Sequence, residues 1–335
     1  MKNRLTEPSG ILVVDKPAGL TSHDVVDMVR RAARLAKVGH TGTLDPFATG
    51  VLPLCINRGT RLASLLTDGD KVYTGTFRLG ITTTTQDPTG EIVLERPVPG
   101  ELTLEKLQGL ANQFVGLTQQ TPPMYSAIKV NGERLYELAR RGVEIERNQR
   151  LVTIHHFDLT HFDGVNVAFS VGCSKGTYIR TLAADLGELV GCGAHLISLR
   201  RAQAGPFSLT QAHTPDTIAK TLSEGHLADL LLPLDAGMPD APRLDVQPSA
   251  IRGIVNGGPL LSQQVLTASK ALHEGEKVLI FGKGELLAVG EATVKGLLAG
   301  FPPGTRVAKS WSVMVDVVAL TTPHADRGAK ETRER

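Results

Sequence analysis

Two alternating runs, residues 152–163 and 165–173, meet at Asp163-Gly164, and they constrain the fold more than any other feature of the sequence. In the second run Val165, Val167, Phe169, Val171 and Cys173 alternate with Asn166, Ala168, Ser170 and Gly172, so one apolar face is presented to a core. Asp-Gly between two such runs favours a tight antiparallel hairpin. Residues 71–79 alternate in the same way, with Tyr73, Gly75, Phe77 and Leu79 on one face and Val72, Thr74, Thr76 and Arg78 on the other. Residues 10–15 read as a buried strand, broken by Lys16-Pro17-Ala18-Gly19. Helical spacing shows over residues 23–36, capped by Thr21 or Ser22, with Val25, Val29, Ala32 and Ala36 as its stripe and Arg30, Arg31 and Arg34 opposite. It shows again over 178–190, through Ile179, Leu182, Ala183 and Leu186 to a stop at Gly191. Strands and helices mix without a regular βαβ period. The fold class is therefore α+β, with a largely antiparallel sheet core.

A chain of 335 residues is long for one core, so more than one domain is expected. Pro233, Pro239 and Pro242 punctuate a stretch with few apolar residues, which places a boundary between a domain over 1–235 and a module over 243–320. Within the first domain, residues 95–150 read as a helix-rich insertion. Leu104, Leu107, Leu110, Ala111 and Phe114 mark one helix, and residues 134–141 another. The second block interleaves Lys129, Arg134, Arg140, Arg141, Arg147 and Arg150 with Glu133, Glu137, Glu144 and Glu146, so an ion-paired, solvated surface is its default reading. The C-terminal module is β-rich, with strands expected over 277–281, 286–294 and 313–318 and a turn at Gly282-Lys283-Gly284. Residues 321–335 are polar and charged, the composition of a disordered tail.

Charge decides little: 36 Lys and Arg against 34 Asp and Glu leave a net +2, so any nucleic-acid contact must rest on local charge. The three cysteines, Cys55, Cys173 and Cys192, show no CxxC spacing, which disfavours disulfides and structural zinc. The N-terminal residues lack an apolar signal region, and no apolar run is long enough to span a bilayer. A cytoplasmic protein without membrane association is expected.

Reactive chemistry concentrates in Gly39-His40-Thr41-Gly42-Thr43-Leu44-Asp45-Pro46-Phe47-Ala48-Thr49-Gly50-Val51-Leu52. His40 and Asp45 are its two groups able to act as acid, base or nucleophile. Asp-Pro has a bland alternative, in which Pro46 opens a helix and Asp45 caps it. His155, His156 and His161 lie on one strand without ligand spacing and read as surface residues. A Walker phosphate loop and the HxE/PCxxC zinc signature of deaminases are both absent.

The GHTGTLDPxATGVL segment resembles the signature of the bacterial tRNA pseudouridine synthases, the TruB family. Four further segments resemble the same family: Asp15-Lys16-Pro17-Ala18-Gly19-Leu20-Thr21-Ser22; Lys71-Val72-Tyr73; residues 174–182, SKGTYIRTL; and residues 191–201, GCGAHLISLRR. The resemblance implies a pseudouridine synthase sheet core with a C-terminal RNA-binding module of the PUA type. It implies isomerisation of uridine to pseudouridine in the T-arm of tRNA, at uridine-55. Asp45 is then the nucleophile, Arg180 the cation that pairs with it, and Tyr73 the ring against the target uracil. Tyr178 and Leu199 line the pocket, and His40 fills the space left by the flipped base. An isomerisation needs no redox carrier or metal, so no cofactor is expected; the insertion argues against a guide RNA, since a protein that recognises tRNA unaided needs extra RNA-holding surface, and a monomer is expected. The competing reading is a non-catalytic tRNA-binding or RNA-folding chaperone, which an altered Asp45, Tyr73 or Arg180 would have favoured.

Overall fold

The structure, a computed structural model, describes residues 8–130 and 132–314. Among the described residues the chain divides into two compact units, one over Ser9–Gly237 and one beginning at Met238.

The first unit opens with β1 (Gly10–Lys16), α1 (Ser22–Ala32), β2 (Val38–His40) and β3 (Thr49–Ile56). Thr21 rather than Ser22 caps α1: its hydroxyl accepts from the Asp24 N–H, and the Asp24 carboxylate accepts from the Thr21 N–H, a reciprocal capping box. The helix ends at Ala32, short of the expected Ala36, because Arg34 takes a left-handed φ of 52° and turns the chain away. After α2 (Ala63–Thr67) and β4 (Lys71–Leu79), a small hairpin of β5 (Ile81–Thr83) and β6 (Ile92–Glu95) leads into the segment read as an insertion.

That segment is less helical than its sequence suggests. It holds α3 (Leu104–Ala111), β7 (Gly116–Gln120), the short β8 (Lys129–Val130) and β9 (Glu133–Arg134), and α4 (Leu135–Arg140). β7 belongs to the core sheet as an edge strand, pairing antiparallel with β10 (Arg150–Phe162) from Arg150↔Gln120 to Ile154↔Gly116. The basic block is ion-paired, Arg141 with Glu133 and Arg147 with Glu144.

β10 and β11 (Asn166–Cys173) form the hairpin expected from their alternation, and Asp163 accepts the Val165 and Asn166 N–H groups at the turn. α5 (Ile179–Val190) follows and stops at Gly191, whose φ of 88° suits glycine. β12 (Ala194–Ala204), β13 (Phe207–Ser208) and α6 (Pro215–Ser223) complete the unit. The sheet order is β1-β3-β12-β4-β11-β10-β7, with β2 added on β3 and β13 on β12.

Every pairing in this sheet is antiparallel except β3 with β12, which touch in parallel over Thr49↔Arg200 and Gly50↔Arg201. Gly50 is required at this seam: its φ is 106°, and a Cβ there would lie 2.2 Å from the Arg201 carbonyl oxygen. One face of the sheet buries Phe77, Phe157 and Phe169, whose rings pack at 5.8 and 5.9 Å between centroids. Aromatic contacts of this kind add about 0.5–1.5 kcal/mol each beyond area burial.

The second unit contains β14 (Arg243–Val246), α7 (Pro248–Val255), β15 (Leu260–Leu261), β16 (Val265–Ala268), β17 (Lys277–Gly282), β18 (Glu285–Ala292) and β19 (Arg306–Val313). They form one sheet in the order β15-β19-β18-β17-β14-β16, with its own core around Ile254, Val278, Ile280 and Leu287. The expected turn at Gly282-Lys283-Gly284 joins β17 to β18. Of the strand expected over 313–318 only Val313, the end of β19, and Met314 are described; residues 315–320 and the tail expected to be disordered, 321–335, lie outside the described residues. Among the described residues no helix is long and apolar enough to cross a membrane.

Candidate active site

The loop between β2 and β3 carries Asp45, and the chain before α1 fixes it. The Ser22 hydroxyl accepts the Leu44 N–H at 2.8 Å and lies 3.2 Å from the Leu44 carbonyl, which it can reach as donor. On the other side of Asp45, the Pro46 carbonyl accepts the Gly19 N–H at 2.8 Å and the Lys16 ammonium at 3.3 Å. Lys16 has no exposed surface, and its Nζ also donates to the carbonyls of Pro17 and Leu20 at 2.8 and 2.7 Å. Burial pulls this ammonium down to about 8, against the opposing charge of Asp45. The DKPAGLTS segment therefore clamps the backbone on both sides of Asp45.

From the opposite direction the buried Arg201 reaches the same loop. Its Nε donates to Val51 O at 2.7 Å, and its terminal nitrogens to Gly42 O and Thr43 O at 3.2 and 3.5 Å. Asp45 itself starts no helix. A turn follows it, closed by Ala48 N–H on Asp45 O at 3.1 Å, and its carboxylate faces Arg180. The capping alternative is thereby set aside.

Arg180, on the first turn of α5, is 4% exposed and so entirely committed to this site. Its Nη2 donates to Asp45 Oδ1 at 3.2 Å, while Nε approaches Oδ2 at 2.8 Å as an ion-pair contact without hydrogen-bond alignment. Its remaining donors go to the carbonyls of Thr85 at 3.0 Å and Tyr125 at 2.8 Å. A second carboxylate, Asp87, stands 3.7 Å from Nη1 and is itself held by the Thr85 and Thr89 hydroxyls and the Thr89 N–H.

Burial raises the Asp45 carboxyl above the ordinary carboxylate value; Arg180 opposes this, and the Asp87 charge adds to it. Pairing with Arg180 thus moderates the cost of burying Asp45 without cancelling it. A third of the Asp45 side chain (33%) stays open, enough for a reacting atom to approach.

Tyr73, on β4, lies opposite Arg201 in the β4–β12 register and is 8% exposed. Burial pushes its phenol up, so it remains protonated near neutrality, with Arg201 as a hydrogen-bond partner. Leu199 on β12 and Tyr178 at the head of α5 face the same space. Asp45, Tyr73, Tyr178, Arg180 and Leu199 together line one cavity of about 350 Å³. His40 is on β2, outside that lining, with its Nδ1 accepting the Gly42 N–H at 3.2 Å. Burial lowers its pKa, with Arg201 adding to the effect, so the imidazole is neutral and presents Nε2–H.

The sequence reading did not name Asp87 beside Arg180, and it placed the buried cations Lys16 and Arg201 in family-like segments without giving either a role. Asp87 sits in the Thr-rich run TTTTQDPTG, which reads as an ordinary loop. Lys16 and Arg201 carried a family likeness but nothing that announced their burial. Among the described residues no group of three or more His, Cys, Asp or Glu side chains is arranged to hold a metal ion. The three cysteines are buried and free, each with its thiol raised by burial.

A family model described as TruB family pseudouridylate synthase (N-terminal domain) matches residues 30–179. A second, described as tRNA pseudouridylate synthase B C-terminal domain, matches residues 180–238. Both lie almost wholly within the first unit. A tRNA pseudouridine synthase B of Stutzerimonas stutzeri (strain A1501) is 42% identical over 294 residues, 87% of this chain and 94% of that protein. One of Shouchella clausii (strain KSM-K16) is 42% identical over 299 residues, covering 87% and 97%. Among solved structures, a Cbf5-Nop10-Gar1 complex matches with a TM-score of 0.72 and 25% identity over 93% of this chain and 86% of that one. An archaeal box H/ACA sRNP Nop10-Cbf5 complex matches with a TM-score of 0.70 and 23% identity, over 95% and 92%, and shares the fold.

Proposed function

Because the chain belongs to the TruB family of pseudouridylate synthases, we propose that it isomerises uridine-55 in the T-arm of tRNA, with Asp45 as the nucleophile. The observation that carries this reading is the Arg180–Asp45 ion pair at the wall of a cavity that also holds Tyr73. In the reaction the N1–C1′ bond breaks and a C5–C1′ bond forms. The C5 proton leaves to solvent and N1 regains one, so atoms balance without a redox partner. What the protein must supply is an anion at the glycosidic carbon or at C6 of the base, and a container that keeps the freed uracil in place.

Asp45 supplies the anion. Arg180 aims it through Nη2 and compensates its charge, while the clamps on Leu44 and Pro46 fix the backbone from which it projects. A target base inside an RNA stack cannot reach a carboxylate walled in this way, so it must flip out, at a cost of a few kcal/mol. Stacking on Tyr73 returns roughly 1–3 kcal/mol of this. Tyr178 and Leu199 limit how far the detached ring can wander. His40, neutral and just outside the cavity, occupies the position the base leaves.

The substrate is tRNA itself, bound by a monomer without guide RNA, cofactor or metal. The identity to bacterial tRNA enzymes, well above that to the Cbf5 complexes, supports this choice. The β-rich unit from Met238 acts as a PUA-like RNA-holding module.

The test is tritium release from tRNA transcript labelled with [5-³H]uridine, using purified protein with no added cofactor. Stoichiometric release from wild-type T-arm sequence, abolished when uridine-55 is replaced by cytidine, is the expected result. Release that persists after that replacement, or none at all, would refute the assignment.

A further inference from the structure

The head of α5 has no side chain of its own to cap it, although it carries Arg180 one residue into the helix. Tyr178, the N-cap residue, leaves its N–H without a helical acceptor. The buried Gln120 supplies one from the end of β7. The Tyr178 N–H donates to Gln120 Oε1 at 2.7 Å, and Gln120 Nε2 donates back to the Tyr178 carbonyl at 3.0 Å. These two bonds fix the orientation of the amide, since a flip would set donor against donor and acceptor against acceptor.

Directly opposite Gln120 in the β7–β10 register is Arg150, whose guanidinium carbon lies 5.8 Å from the centroid of the Tyr178 ring. One rung of the sheet edge thus grips Tyr178 twice, by its backbone and by its ring. The loop before it is tied to the same edge, with Ser174 N–H on Thr153 O at 2.8 Å and Thr153 N–H on Ser174 Oγ at 2.9 Å.

We infer that Gln120 and Arg150 are positioning residues for the isomerisation. They hold Tyr178 against the cavity and, through the start of α5, set Arg180 on Asp45. The inference rests on the function proposed above. It also assigns a task to β7: this strand docks the helix that bears the cation. Neither residue touches the reacting atoms, so their removal acts through geometry. A displacement of about 1 Å at reacting groups can cost on the order of a hundredfold in rate.

The experiment compares Gln120→Met and Arg150→Met with the parent in single-turnover tritium release and tRNA filter binding. Gln120→Met is expected to slow the chemical step about tenfold or more while affinity stays within about threefold. Its rate should also fall off at higher pH than the parent's on acidification, because a shifted Arg180 opposes protonation of Asp45 less; a merely structural role would leave that profile in place. Arg150 is half-buried, so Arg150→Met tests the same rung if Gln120→Met does not fold, with an expected loss of about threefold or more in rate at unchanged affinity. Parental rates in the folded variants, an unmoved pH profile, or a loss confined to affinity would overturn the inference. An inactive parent would instead refute the function on which it rests.

Discussion

Lys16 offers a quantitative test of how the Asp45 loop is held. Its ammonium is fully buried and donates to three carbonyls, so Lys16→Met removes three bonds to a charged donor while keeping an unbranched chain. The Pro46 carbonyl retains the Gly19 N–H, but those of Pro17 and Leu20 lose this donor, at about 1–3 kcal/mol each if left unpaired. Against this stands the cost of burying the charge. A fall from 10.5 to about 8 is roughly 2.5 pKa units, or about 3 kcal/mol, that the variant no longer bears. At pH 7 the two effects oppose, and the net change is a small difference between them.

The pH dependence does not cancel. With the folded pKa below the unfolded one, the unfolded chain binds more protons between about pH 8 and 10.5, so wild-type stability rises with pH across that window relative to the variant. The difference should approach about 3 kcal/mol, with a steepest slope of about 1.4 kcal/mol per pH unit. Urea unfolding of the full chain at a series of pH values, followed by far-UV circular dichroism, measures it. Parallel curves for the two proteins through this window would refute the view that Lys16 is held charged and desolvated.

Asp45→Asn should abolish single-turnover tritium release and leave tRNA affinity within about threefold, because binding is spread over phosphate contacts; residual turnover would remove Asp45 from the chemistry. Since burial raises the Asp45 carboxyl and the proposed reaction needs its ionised form, the parent's rate should fall on acidification above the ordinary carboxylate range near pH 4, and a rate flat to pH 4 would contradict this. Asp87→Asn removes a charge that raises Asp45, so that acid limb should move to lower pH even as the rate drops with Arg180 less well held; an unmoved limb would separate Asp87 from the site. A chain ending at Gly237 keeps every residue of the cavity and should keep the reaction, with weaker and less salt-dependent tRNA binding; undiminished affinity in a folded truncation would show that the second unit does not hold RNA.

What the sequence made legible is local. The hairpin of β10 and β11 follows from a period of two and one Asp-Gly turn, and the end of α5 follows from one glycine. The cavity residues Asp45, Tyr73, Tyr178, Arg180 and Leu199 could be named because short motifs carry them, and the structure places them around one space. What escaped depends on contacts distant in sequence. Asp87 meets Arg180 from a polar loop with no periodicity, and Gln120 meets Tyr178 from 58 residues away. Arg34 bends α1 through its backbone, which helix periodicity does not record. β7 was hidden inside a stretch of helical and mixed-charge composition, because a polar edge strand needs little apolar alternation of its own.

The parallel seam of β3 and β12 also bears on the order in which the protein is made. It joins Thr49 to Arg200, 151 residues apart, and the ion pair behind it spans 135. Closing a loop of that length costs about 4 kcal/mol in chain entropy, to be recovered only from contacts made after the ends meet. During synthesis the loop with Asp45 leaves the ribosome long before α5 and β12 exist. Through that interval its carboxylate is an ordinary hydrated anion, with no cation to aim it and no walls to receive a base. If Asp45 is the nucleophile, reactivity toward RNA arrives only once α5 brings Arg180 to it, and a chain stalled before that contact is chemically inert toward the transcripts around it.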